Sequence, residues 1–251
     1  MADPAHKETD KILEKIEKQI AKEYSQAEKE VSDKLDDYLK RFVAKDEKWQ
    51  QWVHDGKKTK EEYQQWKVGQ IAIGDRWRSM RDALAEDFHN TNEVAKSTVY
   101  GHMPDVYAIN YNFGTYEVEN GLGIDTSFTL YDRQTVERLF KTDEKLYHDP
   151  GTAKQQQIAA NKDLRWNRQQ IQSSMIQAIL QGESIPKIAS RIATSVGDKN
   201  RSAAIRNART ITTGVQNAGR VDSYKRAQEM GVEMKQQWVA TLDIRTRESH
   251  S

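Results

Sequence analysis

The sequence predicts a mainly α-helical, elongated protein with a long-helix N-terminal domain and a basic, helical C-terminal domain. Two observations lead to this fold class. The chain of 251 residues is 31% charged and only 36% hydrophobic, which is a low apolar fraction for one large core. Apolar residues also recur every three or four positions over long stretches, which is the period of an amphipathic helix. We expect one domain at 1–148 and another at 152–251, the second ending in one or two short β-strands at Gln236–Arg247.

The first long helix is predicted from Ile12 onward. Its apolar positions are Ile12, Ile16, Ile20, Tyr24, Ala27, Val31, Leu35, Tyr38 and Phe42. Their mean step of about 3.75 residues is closer to an 11-residue repeat than to the heptad of a left-handed coiled coil. A packed helix therefore fits better than a zipper, and both a bundle helix and an extended arm facing an oligomer partner stay open.

Aromatic residues crowd the polar stretch that follows. They lie at helical spacing, which is more often a sign of core than of a binding platform: Trp49, Trp52, Tyr63, Trp66 and Trp77. Gly56 predicts a turn, and Thr59 is a candidate N-cap because its hydroxyl can accept a hydrogen bond from the first turn. A second helix is predicted from about Thr59 to Asn90 or beyond.

Residues 99–131 have a different character. They contain Pro104, four glycines and a cluster of Tyr and Phe residues, so we expect irregular, turn-rich backbone. A brief extended piece is predicted at Ser127–Leu130, followed by a helix at Thr135–Lys145. This segment is a candidate hinge or wall between the two domains.

The segment from His148 to Thr152 is the predicted linker, because Pro150 and Gly151 disfavour continuation of regular structure. The charge balance changes there, from a net −7 in residues 1–149 to +8 in residues 150–251. Three interpretations stay open: the halves dock against each other, the basic half binds an acidic partner, or it is a solvated face.

Local signals in the basic half predict where its helices begin and end. One helical stripe ends at Gly182, a short helix is predicted at Ser184–Ile192, and an Arg-rich helix runs from about Arg201 to Met230. Gly231 then stands in the preferred place for a helix end.

Composition excludes several classes of protein. There is no cysteine, so neither a disulfide framework nor a thiolate metal site is available. No uncharged apolar stretch reaches about 18 residues, so no membrane-spanning segment is expected. The charged start of the chain lacks the apolar run of a signal sequence, and synthesis in a reducing cytoplasm is the default. The six histidines are not paired at helical ligand spacing, and we expect no metal and no cofactor.

The C-terminal quarter carries the most specific motifs. They are Ala208-Arg209-Thr210, Asn217-Ala218-Gly219-Arg220, Tyr224, Gly231-Val232, Trp238 and Asp243-Ile244-Arg245-Thr246-Arg247-Glu248-Ser249-His250. On an extended strand Asp243, Arg245 and Arg247 share one face, so a bidentate Asp–Arg pair is possible there. A structural network, a contact with a partner molecule, and a catalytic site are the alternatives, in that order.

These elements, in this order, resemble the phage head-morphogenesis family, which includes the F protein of phage Mu. The resemblance covers roughly residues 155–250, and Tyr107–Val136 is similar to the middle region of minor capsid proteins from phages of Gram-positive hosts. The family pattern continues past the histidine toward a D-G turn, so we expect a domain truncated at its C-terminus.

The resemblance implies a minor capsid protein located in the virion, in the head interior or at the portal vertex. Its partners would be the portal protein and other capsid components, its role head assembly, and DNA packaging or ejection further possibilities. The positions that carry the motif form the predicted interaction and structural site: Arg209, Trp238, Asp243, Arg245, Thr246, Arg247 and His250.

Two other classes of function stay open. A nuclease-like enzyme could use Asp243 and His250, but no second carboxylate stands at an obvious ligand spacing, and H-E-x-x-H, G-x-S-x-G and Walker motifs are absent. We therefore expect no enzyme. A nucleic-acid-binding module could use the arginines of the long helix. Those arginines do not fall on one stripe, so we expect several of them to pair within the protein.

Overall fold

The computed structural model describes residues 3–123, 129–142 and 152–235. These residues form seven α-helices, with a π-helical turn at Val68–Ala72 between the third and the fourth. The helices are α1 (Pro4–Lys40), α2 (Val43–His54), α3 (Lys60–Lys67), α4 (Asp75–Leu122), α5 (Arg133–Thr142), α6 (Ala153–Leu180) and α7 (Ile185–Glu229). The predicted mainly α class is confirmed. The described ranges contain no β-strand, so the terminal strands are not borne out, and Gln236–Arg247 lies outside the described residues.

α1 is the predicted amphipathic helix. Asp3 caps it, because its side chain accepts hydrogen bonds from the backbone N–H groups of Ala5 and His6. Its apolar stripe, from Ile16 through Tyr38, is buried against α4 and α7. α1 is therefore a bundle helix over its whole length and not a free arm.

α2 and α3 form a helical hairpin with its own aromatic cluster. Gly56 makes the predicted turn with a φ of +72°, and Thr59 is confirmed as the N-cap, in a capping box with Glu62. The Trp49 and Trp66 rings stack with centroids 5.4 Å apart. Trp49, Trp52, Tyr63 and Trp66 are half-buried, whereas Trp77 is 1% exposed. Of the five aromatic residues predicted to lie in the core, only Trp77 is therefore fully buried.

α4 corrects the prediction for residues 99–131. It is one helix of 48 residues that passes through Gly101, Pro104, Gly114 and Gly121 without a break, so the expected irregular backbone is wrong over residues 99–122. The glycine at 114 serves packing, because a Cβ there would overlap Ser223 Oγ of α7. At 1.5 Å per residue α4 is about 70 Å long, and the bundle is elongated as predicted.

Other predicted boundaries need smaller corrections. The helix expected from Thr59 to Asn90 is interrupted before Gly74, whose φ is +113°. Of the extended piece at Ser127–Leu130, residues 127 and 128 lie outside the described part. The two helices predicted at 184–192 and 201–230 are one helix, α7, because Ala193, Val196 and Asn200 between them are buried. The helix ends at Gly182 and Gly231 are confirmed by φ values of +73° and +91°.

The hydrophobic core is shared by described residues of both predicted domains. One part of it joins Leu35 of α1, Phe88 of α4, Ile171 of α6 and Ile192 of α7. A second part joins α1, α4 and α7 through residues such as Ile20, Met103 and Ala208. The described residues before 148 and after 152 thus do not have separate cores, and the predicted linker up to residue 151 lies outside the described residues.

Candidate interaction site

A polar network crosses the centre of the bundle. The amide of Asn92 on α4 donates to both carboxylate oxygens of Asp163 on α6, at 3.0 Å each, and to Asn200 Oδ1 on α7 at 3.1 Å. Asn92 Oδ1 accepts a short hydrogen bond from Tyr24 on α1. Asn200 in turn donates to Asn167 Oδ1 on α6 at 3.0 Å. Four helices are therefore joined through a few side chains.

Asp163 is the charged centre of this network. His89 Nδ1 of α4 lies 2.7 Å from Asp163 Oδ2, so the carboxylate has partners on both Asn92 and His89. Burial raises the pKa of Tyr24 above its usual range, and the charge of Asp163 raises it further. Tyr24 therefore remains a neutral hydrogen-bond donor. Since buried polar groups are costly when unpaired, the network fixes how the four helices align.

A signal for this network was present in the sequence and was missed. Asn167 lies one helical turn before Ile171 and two turns before Met175, on the same buried stripe of α6. An amide on an apolar stripe predicts a buried hydrogen-bond partner. The partners of Asn167 and Asn92 are 33 and 108 positions away in the chain, and periodicity contains no information about them.

Ion pairs join the acidic first half to the basic second half. Glu17 pairs with Arg209 at 2.6 Å, Asp82 with Arg168 at 3.1 Å, and Glu28 approaches Arg201 at 3.9 Å. Asp3 pairs with Arg220. The opposite charges therefore dock the halves against each other, and several arginines of α7 pair internally, as expected.

Arg209 is the predicted site residue that the structure describes. Its Nε and Nη2 donate to the two carboxylate oxygens of Glu17 at 2.6 and 3.2 Å. The hydrogen bond and charge of Glu17 raise the pKa of Arg209. The pair is bidentate, and it links α1 to α7 at the protein surface. The remaining predicted site residues lie outside the described part of the chain: Trp238, Asp243, Arg245, Thr246, Arg247 and His250.

A groove of about 1390 Å³ lies beside the network. Its lining comes from α4, α5, α7 and the N-terminal half of α6, and we call it the α6 groove. Large apolar residues in the lining include Tyr100, Met103, Phe140, Ile211 and Val215. A groove of this size with apolar residues in its lining can accept a segment of protein.

Two further features of the described residues concern membranes and metal ions. None of their helices combines the length and apolar character needed to cross a membrane. Among the same residues, no group of three or more His, Asp and Glu side chains is placed to hold a metal ion.

Comparison with known proteins bears on the C-terminal part. Residues 169–251 match the family model described as Phage Mu protein F like protein. No curated protein and no solved structure matches the chain. The match begins inside α6, contains all of α7 with Arg209, and runs through the Asp243–His250 motif. The resemblance read from the sequence is confirmed there: the C-terminal third of the chain is similar to the Phage Mu protein F like family.

Proposed function

We propose that this protein is a minor capsid protein of a bacteriophage that binds the portal and acts in head assembly without catalysing a reaction. The observation that carries the proposal is the family match over residues 169–251. The match indicates a phage head protein, and hence a place in the virion with other capsid components as partners. The portal as the partner, and a contribution to DNA packaging or ejection from that position, are the finer part of the proposal.

The charge distribution favours protein partners over DNA. A surface that tracks a nucleic acid needs cations free to replace the counterions of successive phosphates. On α7, Arg201 and Arg209 lie against carboxylates of α1. Arg220 pairs with Asp3, directly before α1, and Arg226 pairs with Glu229. Arg201, Arg209 and Arg220 thus join α7 to the N-terminal part of the chain and Arg226 is paired within α7, which leaves these arginines unsuited to a phosphate-binding stripe.

Co-sedimentation with the portal protein of the same phage, at low and moderate salt, tests the proposal. We expect stoichiometric association that survives moderate salt. A truncation after residue 148 would not be a useful comparison, because it removes α6 and α7 from both parts of the core. The exposed substitution Arg226→Gln is a better control, and we expect it to leave association unchanged.

DNA-binding and DNA-cleavage assays of the same protein test the two alternative functions. A nucleic-acid-binding module would bind duplex DNA with an affinity that falls steeply with salt. A nuclease would cleave DNA in the presence of a divalent metal ion, and Asp243→Ala or His250→Ala would abolish turnover while the fold persists. Absence of portal association, together with either result, would overturn the proposal.

A further inference from the structure

α4 and α7 run parallel and end close to each other. Gly219 of α7 lies against Tyr107 of α4, and Ser223, one turn further along α7, lies against Gly114 of α4. Eight further residues of α4 and six of α7 bring both helices to their last residues. Because every helical residue rises by about 1.5 Å, the two helices end at nearly the same height. We call these two helix ends the α4–α7 tip.

Each helix carries an apolar residue at the tip that continues a buried stripe but is itself exposed. On α4, Thr115 and Val118 are buried, and Leu122, one turn after Val118, is 44% exposed. On α7, Ala227 is buried, and Met230, one turn later, is 45% exposed. Residues three or four apart share one face of a helix. The core stripes of α4 and α7 therefore reach the surface at the tip, where the described residues leave them half uncovered.

The chain that follows the turn at Gly231 lies with every second side chain against the protein. Val232 and Met234 are half-buried, whereas Glu233 and Lys235 are exposed. None of these four residues is helical. Since successive side chains of an extended chain point to opposite sides, the even-numbered residues here are the inner ones.

The same alternation continues in the sequence beyond Lys235. The even-numbered positions are Gln236, Trp238, Ala240, Leu242 and Ile244, and the odd-numbered positions are Gln237, Val239, Thr241, Asp243 and Arg245. Apart from Gln236 and Val239, the even positions are apolar and the odd positions are polar. A period of two with one apolar side is typical of an extended segment that covers a hydrophobic surface. The register that begins at Val232 thus predicts an apolar inner side for residues 236–244.

Position and length favour this segment over a separate partner as the cover of the tip. Packed helices lie about 8–10 Å apart, whereas nine extended residues span about 30 Å, so residues 236–244 are long enough to cross from α7 to α4. The segment is attached where α7 ends, and a short tether gives an effective concentration on the order of millimolar. The family match over residues 169–251 also includes α7 and this segment in one unit.

We propose that residues 236–244 lie in an extended conformation across the α4–α7 tip, with the apolar side chains of the even-numbered positions covering Leu122 and Met230. The inference goes beyond the proposed function and does not depend on portal binding. It assigns the tip an occupant from the same chain.

The proposed register also orients the C-terminal motif. Asp243, Arg245 and Arg247 are odd-numbered and belong to the outer side of the segment. The apolar side is then used inside the protein, while the carboxylate and the two guanidinium groups face away from the bundle. The charged side of the motif is thereby presented to a partner molecule.

Thiol labelling of the full-length protein tests the register. The chain has no cysteine, so Leu242→Cys and Thr241→Cys each introduce a unique thiol, at neighbouring positions of opposite register. We expect maleimide to react about tenfold or more slowly at 242 than at 241, because the inner thiol is accessible only when the segment opens locally. The two rates should become equal in denaturing urea. Equal rates in the folded protein would overturn the inference.

A second substitution tests which surface protects the segment. In the Leu242→Cys protein, Leu122→Ser removes apolar contact from the tip, and we expect labelling at 242 to accelerate about fivefold or more. Tyr116→Ser is the matched control, because Tyr116 is also exposed near the end of α4 but lies on another side of the helix. It should leave the rate unchanged, and equal helicity of the two variants verifies the fold. No acceleration by Leu122→Ser would mean that the tip is not the docking surface.

Cross-linking distinguishes a segment of the same chain from that of a second copy. A short bis-maleimide added to dilute Leu122→Cys/Leu242→Cys protein should give an internal cross-link, seen as a monomer on a denaturing gel and located by peptide mapping. Tyr116→Cys/Leu242→Cys should give much less. A cross-linked dimer as the main product would show that another copy supplies the segment, and equal internal yields for the two variants would show that it does not dock at the tip. Either result would overturn the inference.

Discussion

Asn200 Nδ2 donates a 3.0 Å hydrogen bond to Asn167 Oδ1, and both side chains are buried between α6 and α7. Asn200→Ala leaves the oxygen of Asn167 without this donor and removes an acceptor of Asn92. Since a buried polar group left unpaired costs about 1–3 kcal/mol, we expect the free energy of unfolding to fall by about that amount. Urea denaturation measures it. The exposed Asn207→Ala on the same helix is the control and should change stability by less than about 0.5 kcal/mol.

A buried ion pair holds the α2–α3 hairpin together. Lys67 Nζ lies 3.2 Å from Asp46 Oδ1, and the two side chains are 2% and 5% exposed. Lys67→Met leaves the carboxylate buried without its partner, so we expect a loss of about 3–5 kcal/mol. Chemical denaturation of this variant and of the exposed Lys60→Met provides the comparison. Equal stabilities would mean that Tyr63 and Gln50, which also donate to Asp46, are sufficient for that carboxylate.

Two glycines of α7 should respond to alanine in opposite directions. A Cβ at Gly219 would lie 2.6 Å from the carbonyl oxygen of Tyr107, whereas nothing lies within 4 Å of a Cβ at Gly214. Gly219→Ala forces α4 and α7 apart and should cost about 1–3 kcal/mol. Gly214→Ala should stabilise by about 0.5–1 kcal/mol, because glycine loses more backbone entropy in a helix than alanine. Thermal unfolding of both variants measures the two changes in stability. A loss of stability at both positions would contradict the open surface at Gly214.

These glycines also show where sequence reasoning succeeds and where it fails. The local signals at Thr59, Gly182 and Gly231 were interpreted correctly, because caps and turns depend on near neighbours in the chain. Gly114 was wrongly predicted to lie in irregular backbone. A glycine is needed there because α4 packs closely against Ser223, which is 109 positions away in the chain. The cross-helix partner of Arg209 could not be assigned either, since charge patterning indicates that acids and bases pair but not which ones.

Glu28 should make stability depend on pH. Burial raises the pKa of its carboxyl more than Arg201 lowers it. A raised carboxyl pKa favours the folded state at low pH, and this contribution is lost as the pH rises through the folded-state value. Glu28→Gln removes the penalty, so the variant should gain stability over the original at pH 7 and lose that gain below about pH 4. Denaturation midpoints at both pH values measure it, and Glu23→Gln, exposed on the same helix, should show no such difference.

The shared core predicts that the family-related part of the chain cannot fold by itself. Ile171, Met175 and Ile192 of residues 152–251 pack in one cluster with Leu35 and Phe88 of the N-terminal part. Expressed alone, residues 152–251 would expose those side chains to water, at about 1.5–3 kcal/mol for each large one. We expect circular dichroism of the fragment to show no cooperative unfolding, and co-expression with residues 1–142 to restore it. Cooperative unfolding of the fragment alone would instead establish the independent C-terminal domain that charge and the Pro-Gly linker predict.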